Sequence, residues 1–282
     1  MQLGEFNIRT VSGGRFRLDG GAMFGVVPKP LWQRKAPADE ANRIQLDTNC
    51  LLIEGPEGLL LCDTGCGNKL SKKELDHLEA GGQNSLVDNL ALLLLSPAEI
   101  SHVLFSHLHF DHAGGATYRN ESGELRATFP NAVHVFQERE LADAIGEAPE
   151  LTGNYHSGEI RQLQQQANCN MVSGDRELLP GIHLLQTGGH TFGHQVIEVR
   201  TADATGVYMG DLCPTSAHLN AFWTMSYDAY QLEVRRKKLE MLKEIADRGK
   251  IIFFDHDPEI RAATIRAKNE TSFEIDQVFQ LD

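Results

Sequence analysis

Apolar residues in this chain gather into short runs bounded by Gly, Pro and Asp, a strand rhythm broken by two helical stretches. "NCLLIEG" (49–55) and "GLLLCDT" (58–64) flank "GPEG", which predicts a hairpin because Gly and Pro stop both strands and reverse the chain. "SLVDNLALLLL" (85–95), ending before Pro97, has helical length and periodicity. "HVLFS" (102–106) and "AVHVFQ" (132–137) predict short buried strands, separated by the polar excursion "ATYRNESGELRATFPN" (116–131). Residues 138–170 are polar and Gln-rich and are assigned to helix and loop outside the sheet. Strands resume at "GIHLLQT" (181–187), "QVIEVRT" (195–201) and "TGVYMGD" (205–211); alternation of Val196 and Glu198 predicts that the middle one is half-buried. "VRRKKLEMLKE" (234–244) predicts a helix with a solvated basic face over a stripe of Leu239, Met241, Leu242 and Ile245, and "KIIFFDHD" (250–257) a last buried strand. This order predicts two similar halves, each a sheet with helices on its outer side.

Composition narrows the picture. At 282 residues and 41% hydrophobic, the chain is expected to form one enzyme-sized domain over 1–282. A net charge of −13 argues against a nucleic-acid-binding surface, which rests on clustered Lys and Arg. The start, "MQLGEFNIRTVSGGRFRLDG", has no apolar signal region and no segment has membrane-spanning length, so a cytoplasmic protein without membrane association is expected. Five cysteines, an odd number without C-x-x-C spacing, predict no disulfide framework; Cys62 and Cys213 are assigned to packing.

The chemistry concentrates in "SHLHFDHAGG" (106–115), which places His107, His109, Asp111 and His112 within six positions. In an extended segment His107, His109 and Asp111 project to one side, and His112 turns away at the start of a new element. Two imidazoles then face one metal while the carboxylate and third imidazole face another, so H-x-H-x-D-H supplies a two-metal site from one loop. Burying uncoordinated imidazoles beside a carboxylate would be costly. Gly114 and Gly115 permit a tight backbone path, and a helix beginning there is expected to hold the loop. One loop cannot complete two coordination shells. Further ligands are expected at strand ends: His190 and His194 in "TGGHTFGH", Asp211 in "YMGDL" and His256 in "FFDHD".

The ordered set "DTG" (63–65), "HLHFDH", "TGGHTFGH", "MGDL" and "FFDHD" resembles the five signature stretches of the metallo-β-lactamase superfamily, with wording similar to the branch of N-acyl-homoserine lactonases and phosphotriester hydrolases. The resemblance implies an α/β fold, an αββα sandwich with metals at one edge. It implies that His107, His109 and His190 hold one metal, that Asp111, His112 and His256 hold the other, and that Asp211 bridges them, with His194 not coordinating. Asp63 would orient the ligand loop; Asp255 and Asp257 are assigned to turns or caps. It further implies two divalent metal ions, zinc by default with manganese, iron or cobalt open.

The expected activity is a dinuclear metal-dependent hydrolase that uses a metal-bridging hydroxide on a small ester, lactone or organophosphate, with Asp111 or a nearby histidine delivering the proton. The lactonases carry a tyrosine shortly after the bridging aspartate; here Pro214 stands at that offset, and His218 or Tyr227 is the expected substitute donor. Met23, Phe24 and Trp32, with Phe222 and Trp223, are expected either to wall an apolar cleft or to form a homodimer interface. Alternatives are a glutathione thiolester hydrolase, a persulfide dioxygenase-like enzyme, or a low-turnover metal-containing sensor.

Overall fold

The computed structural model describes residues 1–80, 85–146, 148–151 and 154–281. Its first sheet has seven strands in the order β1(Gln2–Leu3), β2(Phe6–Asp19), β3(Arg43–Gly55), β4(Gly58–Cys62), β5(Ile100–Leu104), β8(Val133–Gln137) and β9(Asn168–Val172). A small hairpin, β6(Thr117–Arg119) and β7(Leu125–Ala127), occupies the polar excursion. The second seven-stranded sheet runs β10(Arg176–Leu179), β11(Ile182–Gln186), β12(Gln195–Arg200), β13(Thr205–Tyr208), β14(Ile251–Phe253), β15(Ala262–Ala267) and β16(Phe273–Phe279). Helices are α1(Gly20–Phe24), α2(Lys29–Trp32), α3(Lys72–Leu78), α4(Leu86–Leu92), α5(Phe110–Ala113), α6(Glu138–Ile145), α7(Ser157–Gln166) and α8(Gln231–Arg248).

The layers follow from which faces are apolar. Ile8, Leu51, Ile53 and Leu60 of the first sheet pack against Leu184, Ile197, Val199, Tyr208 and Phe253 of the second, forming the central core. The outer face of the first sheet, including Leu52, Leu61 and Val103, is covered by Leu86 and Leu90 of α4, Leu141 of α6 and Ile160 and Leu163 of α7. On the other side, Val196, Val207 and Ile252 lie under Val234, Leu242 and Ile245 of α8. This is the expected αββα sandwich. The predicted hairpin is present, with β3 and β4 antiparallel and Gly55 opposite Gly58. Parallel steps, β4 to β5 to β8 to β9 in the first sheet and β13 to β14 in the second, bring strand C-termini to the same edge.

Several local expectations are corrected. The helix expected through Leu95 ends at Leu92, and Leu94 is 91% exposed in a left-handed turn. Strand β12 is buried on both faces: Glu198 is only 1% exposed, its carboxylate paired with Lys250 and Arg200. The basic face of α8 is not wholly solvated, since Lys238 is buried and its ammonium donates to the Trp223 carbonyl. Phe24 stacks between Trp32 and His218, and both aromatics are buried in a fourth core cluster beneath the site rather than forming a cleft wall or an outward face.

Candidate metal centre

Each expected ligand follows a strand: His107 after β5, His190 after β11, Asp211 after β13 and His256 after β14. The H-x-H-x-D-H segment is not extended throughout. It turns into helix α5 at Phe110, with His109 at its N-cap, so the helix precedes the glycines and contains Asp111 and His112. The glycines serve close approach. A Cβ on Gly115 would stand 2.1 Å from the Thr64 carbonyl oxygen, and one on Gly114 2.3 Å from that of Cys66.

Two buried donor sets result. The side-chain donors of His107, His109, His190 and Asp211 all lie within 4.8 Å of one another, as do those of His112, Asp211, Asp255 and His256. Asp211 belongs to both. Its Oδ2 is 2.9 Å from His190 Nε2 and 3.8 Å from His107 Nε2, while its Oδ1 is 3.2 Å from His256 Nε2 and 3.7 Å from His112 Nε2. Asp111 borders the second set, its Oδ2 3.6 Å from His256 Nε2 and 3.9 Å from His112 Nε2. His107 Nε2 is buried without a hydrogen-bond partner among the described residues. An orphaned nitrogen aimed at converging imidazoles and carboxylates fits a cation, since leaving it bare costs free energy.

The opposite ring nitrogens are tied back. His112 Nδ1 pairs with Asp63 Oδ2 at 2.8 Å, His190 Nδ1 with Asp228 Oδ1 at 2.8 Å, and His256 Nδ1 donates to the Asp47 carbonyl at 2.8 Å. Such partners fix tautomer and ring orientation. Asp63 also accepts from Ser106 N and Oγ at 2.7 Å and from the Tyr208 hydroxyl at 3.0 Å, and it holds a left-handed backbone conformation, φ 57°. Burial, with repulsion from neighbouring imidazoles, holds His107 and His109 well below the usual histidine range. Burial opposes protonation of the others, but Asp111 and Asp63 raise His112 to about 9, and Asp211 and Asp228 raise His190 to about 10. Against the cost of its own burial, Asp211 is held well below the carboxylate range by His190 and His256.

Some groups in or around the site carried no sequence signal. Glu140, at the start of α6, accepts from Leu108 N at 2.9 Å, the Tyr155 hydroxyl at 2.9 Å and Thr191 Oγ1 at 2.6 Å. It thereby ties together the two loops that carry His107, His109 and His190. Asp228 and Tyr155 were likewise missed. Asp255 joins the second set instead of capping a turn, and Asp257 caps one by accepting from Ser216, Glu259 and Ile260 amides.

His218 does not join the site. Its Nδ1 pairs with Thr215 Oγ1 at 2.8 Å and its Nε2 meets the Met23 carbonyl at 2.9 Å, so neither nitrogen is left for a substrate; burial pushes it down to about 3. His194 stays outside both sets, with Nδ1 on Thr187 Oγ1 at 2.7 Å. Cys213 is buried, and burial pushes its thiol up to about 12. A cavity of about 590 Å³ opens above the donors, with apolar walls that include Leu18, Met23, Leu70, Phe110 and Met225; Tyr227 lines it as well. Burial and the nearby carboxylates Asp19, Asp111 and Asp211 push the Tyr227 hydroxyl up to about 12, so it remains a donor at neutral pH.

A family model for the metallo-beta-lactamase superfamily matches residues 43–158. A probable metal-dependent hydrolase from Staphylococcus aureus has a structure similar to this chain with a TM-score of 0.86 and 32% identity, over 99% of this chain and 100% of that one. The N-acyl homoserine lactonase of Bacillus cereus is 27% identical over 230 residues, 77% of this chain and 84% of the relative. The structure of AidC, a dizinc quorum-quenching lactonase in complex with its product, shares the fold with a TM-score of 0.82 at 19% identity, over 100% of this chain and 97% of that one.

Proposed function

The chain belongs to the metallo-β-lactamase superfamily, and on that premise we propose that it is a dinuclear metal-dependent hydrolase of a small, uncharged ester, lactone or organophosphate. The observation that carries this reading is Asp211, which turns one oxygen to each of two buried donor sets on the floor of an apolar-walled cavity. His107, His109, His190 and Asp211 would hold one divalent cation, zinc by default, and Asp111, His112, Asp211 and His256 a second. When bound, the cations supply Lewis acidity and a water acidic enough to ionise near neutral pH.

The chain's own groups do the rest. Leu18, Met23, Leu70 and Met225 hold the apolar part of the substrate and exclude water from it. The Tyr227 hydroxyl, protonated at working pH, donates to the carbonyl or phosphoryl oxygen as negative charge gathers there. Asp111, which also lines the cavity, carries a proton from the attacking water to the leaving alkoxide, so that one C–O or P–O bond breaks as another forms. The expected effect of Tyr227→Phe is a fall in kcat of about 10²-fold with little change in KM; an unchanged kcat would remove the tyrosine from this role.

The test is a panel of lactones, aryl esters and phosphotriesters offered to protein loaded with two equivalents of zinc or manganese. Turnover of none of them would sink the proposal. A second reading, hydrolysis of a glutathione thiolester, has in its favour the cationic and titratable groups Lys73, His77 and His156 at the cavity rim. Lactoyl-glutathione belongs in the same panel, and oxygen uptake with glutathione persulfide tests the oxidative variant.

A further inference from the structure

The second donor set holds a group that the proposed ligand arrangement leaves idle. Asp255 is 1% exposed, and neither of its carboxylate oxygens has a hydrogen-bond partner among the described residues. The polar groups packed near it point elsewhere: the Tyr208 hydroxyl goes to Asp63, and the Cys213 thiol to the Thr215 carbonyl. Its backbone is held in place. Asn49 pins the backbone on both sides, its amide N donating to the Asp255 carbonyl at 2.7 Å and its Nδ2 to the carbonyls of Phe254 at 3.1 Å and Asp257 at 2.8 Å. A buried carboxylate with no donor is one of the most expensive arrangements a fold can carry, unless a cation answers it. Among the described residues, the positive direction open to it is the point shared by His112, His256 and Asp211: its Oδ2 lies 3.6 Å from His256 Nε2, and its ligand atom falls within the 4.8 Å group.

We propose that Asp255, which does not line the cavity, is a metal ligand that would supply a third carboxylate oxygen to the second cation. This rests on the dinuclear reading above. The two positions then differ in kind. The first offers three imidazoles and one shared carboxylate, the second two imidazoles with Asp111, Asp211 and Asp255. An oxygen-rich, higher-coordinate set favours a harder cation, of the manganese or ferrous type, more than the imidazole-rich set does.

The experiment is metal titration of metal-free wild type and Asp255→Asn, with manganese and zinc separately, read by elemental analysis after dialysis. Asp255→Asn should hold the first equivalent normally and bind the second about 10- to 100-fold more weakly, with the larger loss for manganese. Metal-free Asp255→Asn should also melt at a higher temperature than metal-free wild type, because a buried carboxylate without a hydrogen-bond donor is gone; a structural acid merely packed in place would not give that pair of opposite effects. Equal second-equivalent affinity in the two proteins overturns the inference while leaving the proposed function intact. Wild type that takes up no divalent cation overturns both. Should the variant fail to fold, wild-type crystals soaked in manganese decide: an Asp255 oxygen within about 2.2 Å of the second ion supports ligation, and one too far to coordinate refutes it.

Discussion

The two donor sets sit side by side and share Asp211, yet they are built from different material. The first draws three imidazoles from two loops that are far apart in sequence, and depends on Glu140 and Asp228 to hold those loops in register. The second is gathered around α5 and the end of β14, is richer in carboxylate, and is tied back by Asp63 and the Asp47 carbonyl. The lesson is that one shared aspartate can join a nitrogen-rich and an oxygen-rich position without making them alike. Their metal affinities, and their responses to pH, should therefore separate.

The largest effect is expected where the two meet. Asp211→Asn removes the carboxylate common to both sets, so metal content should fall at both positions and kcat/KM by at least about 10³-fold; elemental analysis showing full occupancy would contradict the sharing. Glu140→Gln should act on one side only. An amide nitrogen in place of one carboxylate oxygen meets a donor already aimed at it, from Leu108, Tyr155 or Thr191. First-position affinity should drop about 10- to 100-fold while the second is unchanged, as followed by competition with a chelator. Equal losses at both would show that Glu140 supports the fold rather than one set.

The smallest effect is a difference in pH slope. His107 and His109 are neutral at pH 7, whereas His112, raised to about 9, and His190, raised to about 10, are protonated; burial pushes the Asp255 carboxyl up to about 7. A cation entering the first set must displace about one proton, from His190, and one entering the second more than one, from His112 and in part from Asp255. Since release of a proton favours binding as pH rises, apparent affinity should climb between pH 7 and about 9, more steeply for the second equivalent. Calorimetry in buffers of different ionisation enthalpy counts these protons; identical counts would dissolve the distinction.

Much of this was legible in the residues. Strand runs and the Gly-Pro hairpin located the central strands of both sheets but not β2, β9, β15 or β16, because only apolar stretches of strand length must be buried whatever the topology. The H-x-H-x-D-H spacing announced a cluster of donors able to hold a metal, because so many imidazoles in one loop have few other uses. The failures share a cause. Glu198 and Lys238 read as surface groups, and each is buried because a partner elsewhere in the chain satisfies it, Lys250 in one case and the Trp223 carbonyl in the other. His218 had the composition of a donor, but Thr215 and Met23 use up both its nitrogens. Glu140 looked like any acidic residue in a polar helix.

From the order of residues alone came the element types, the side-chain chemistry available and the loop that starts the site, since these depend on neighbours a few positions apart. Which groups face one another depended on the close approach of segments separated by tens to hundreds of residues. That pairing gave Asp211 its two-sided position, gave Glu140 its three donors and left Asp255 with none. A side chain's role is set by its partners' free energy, and partners distant in the chain are chosen only when the sheets pack.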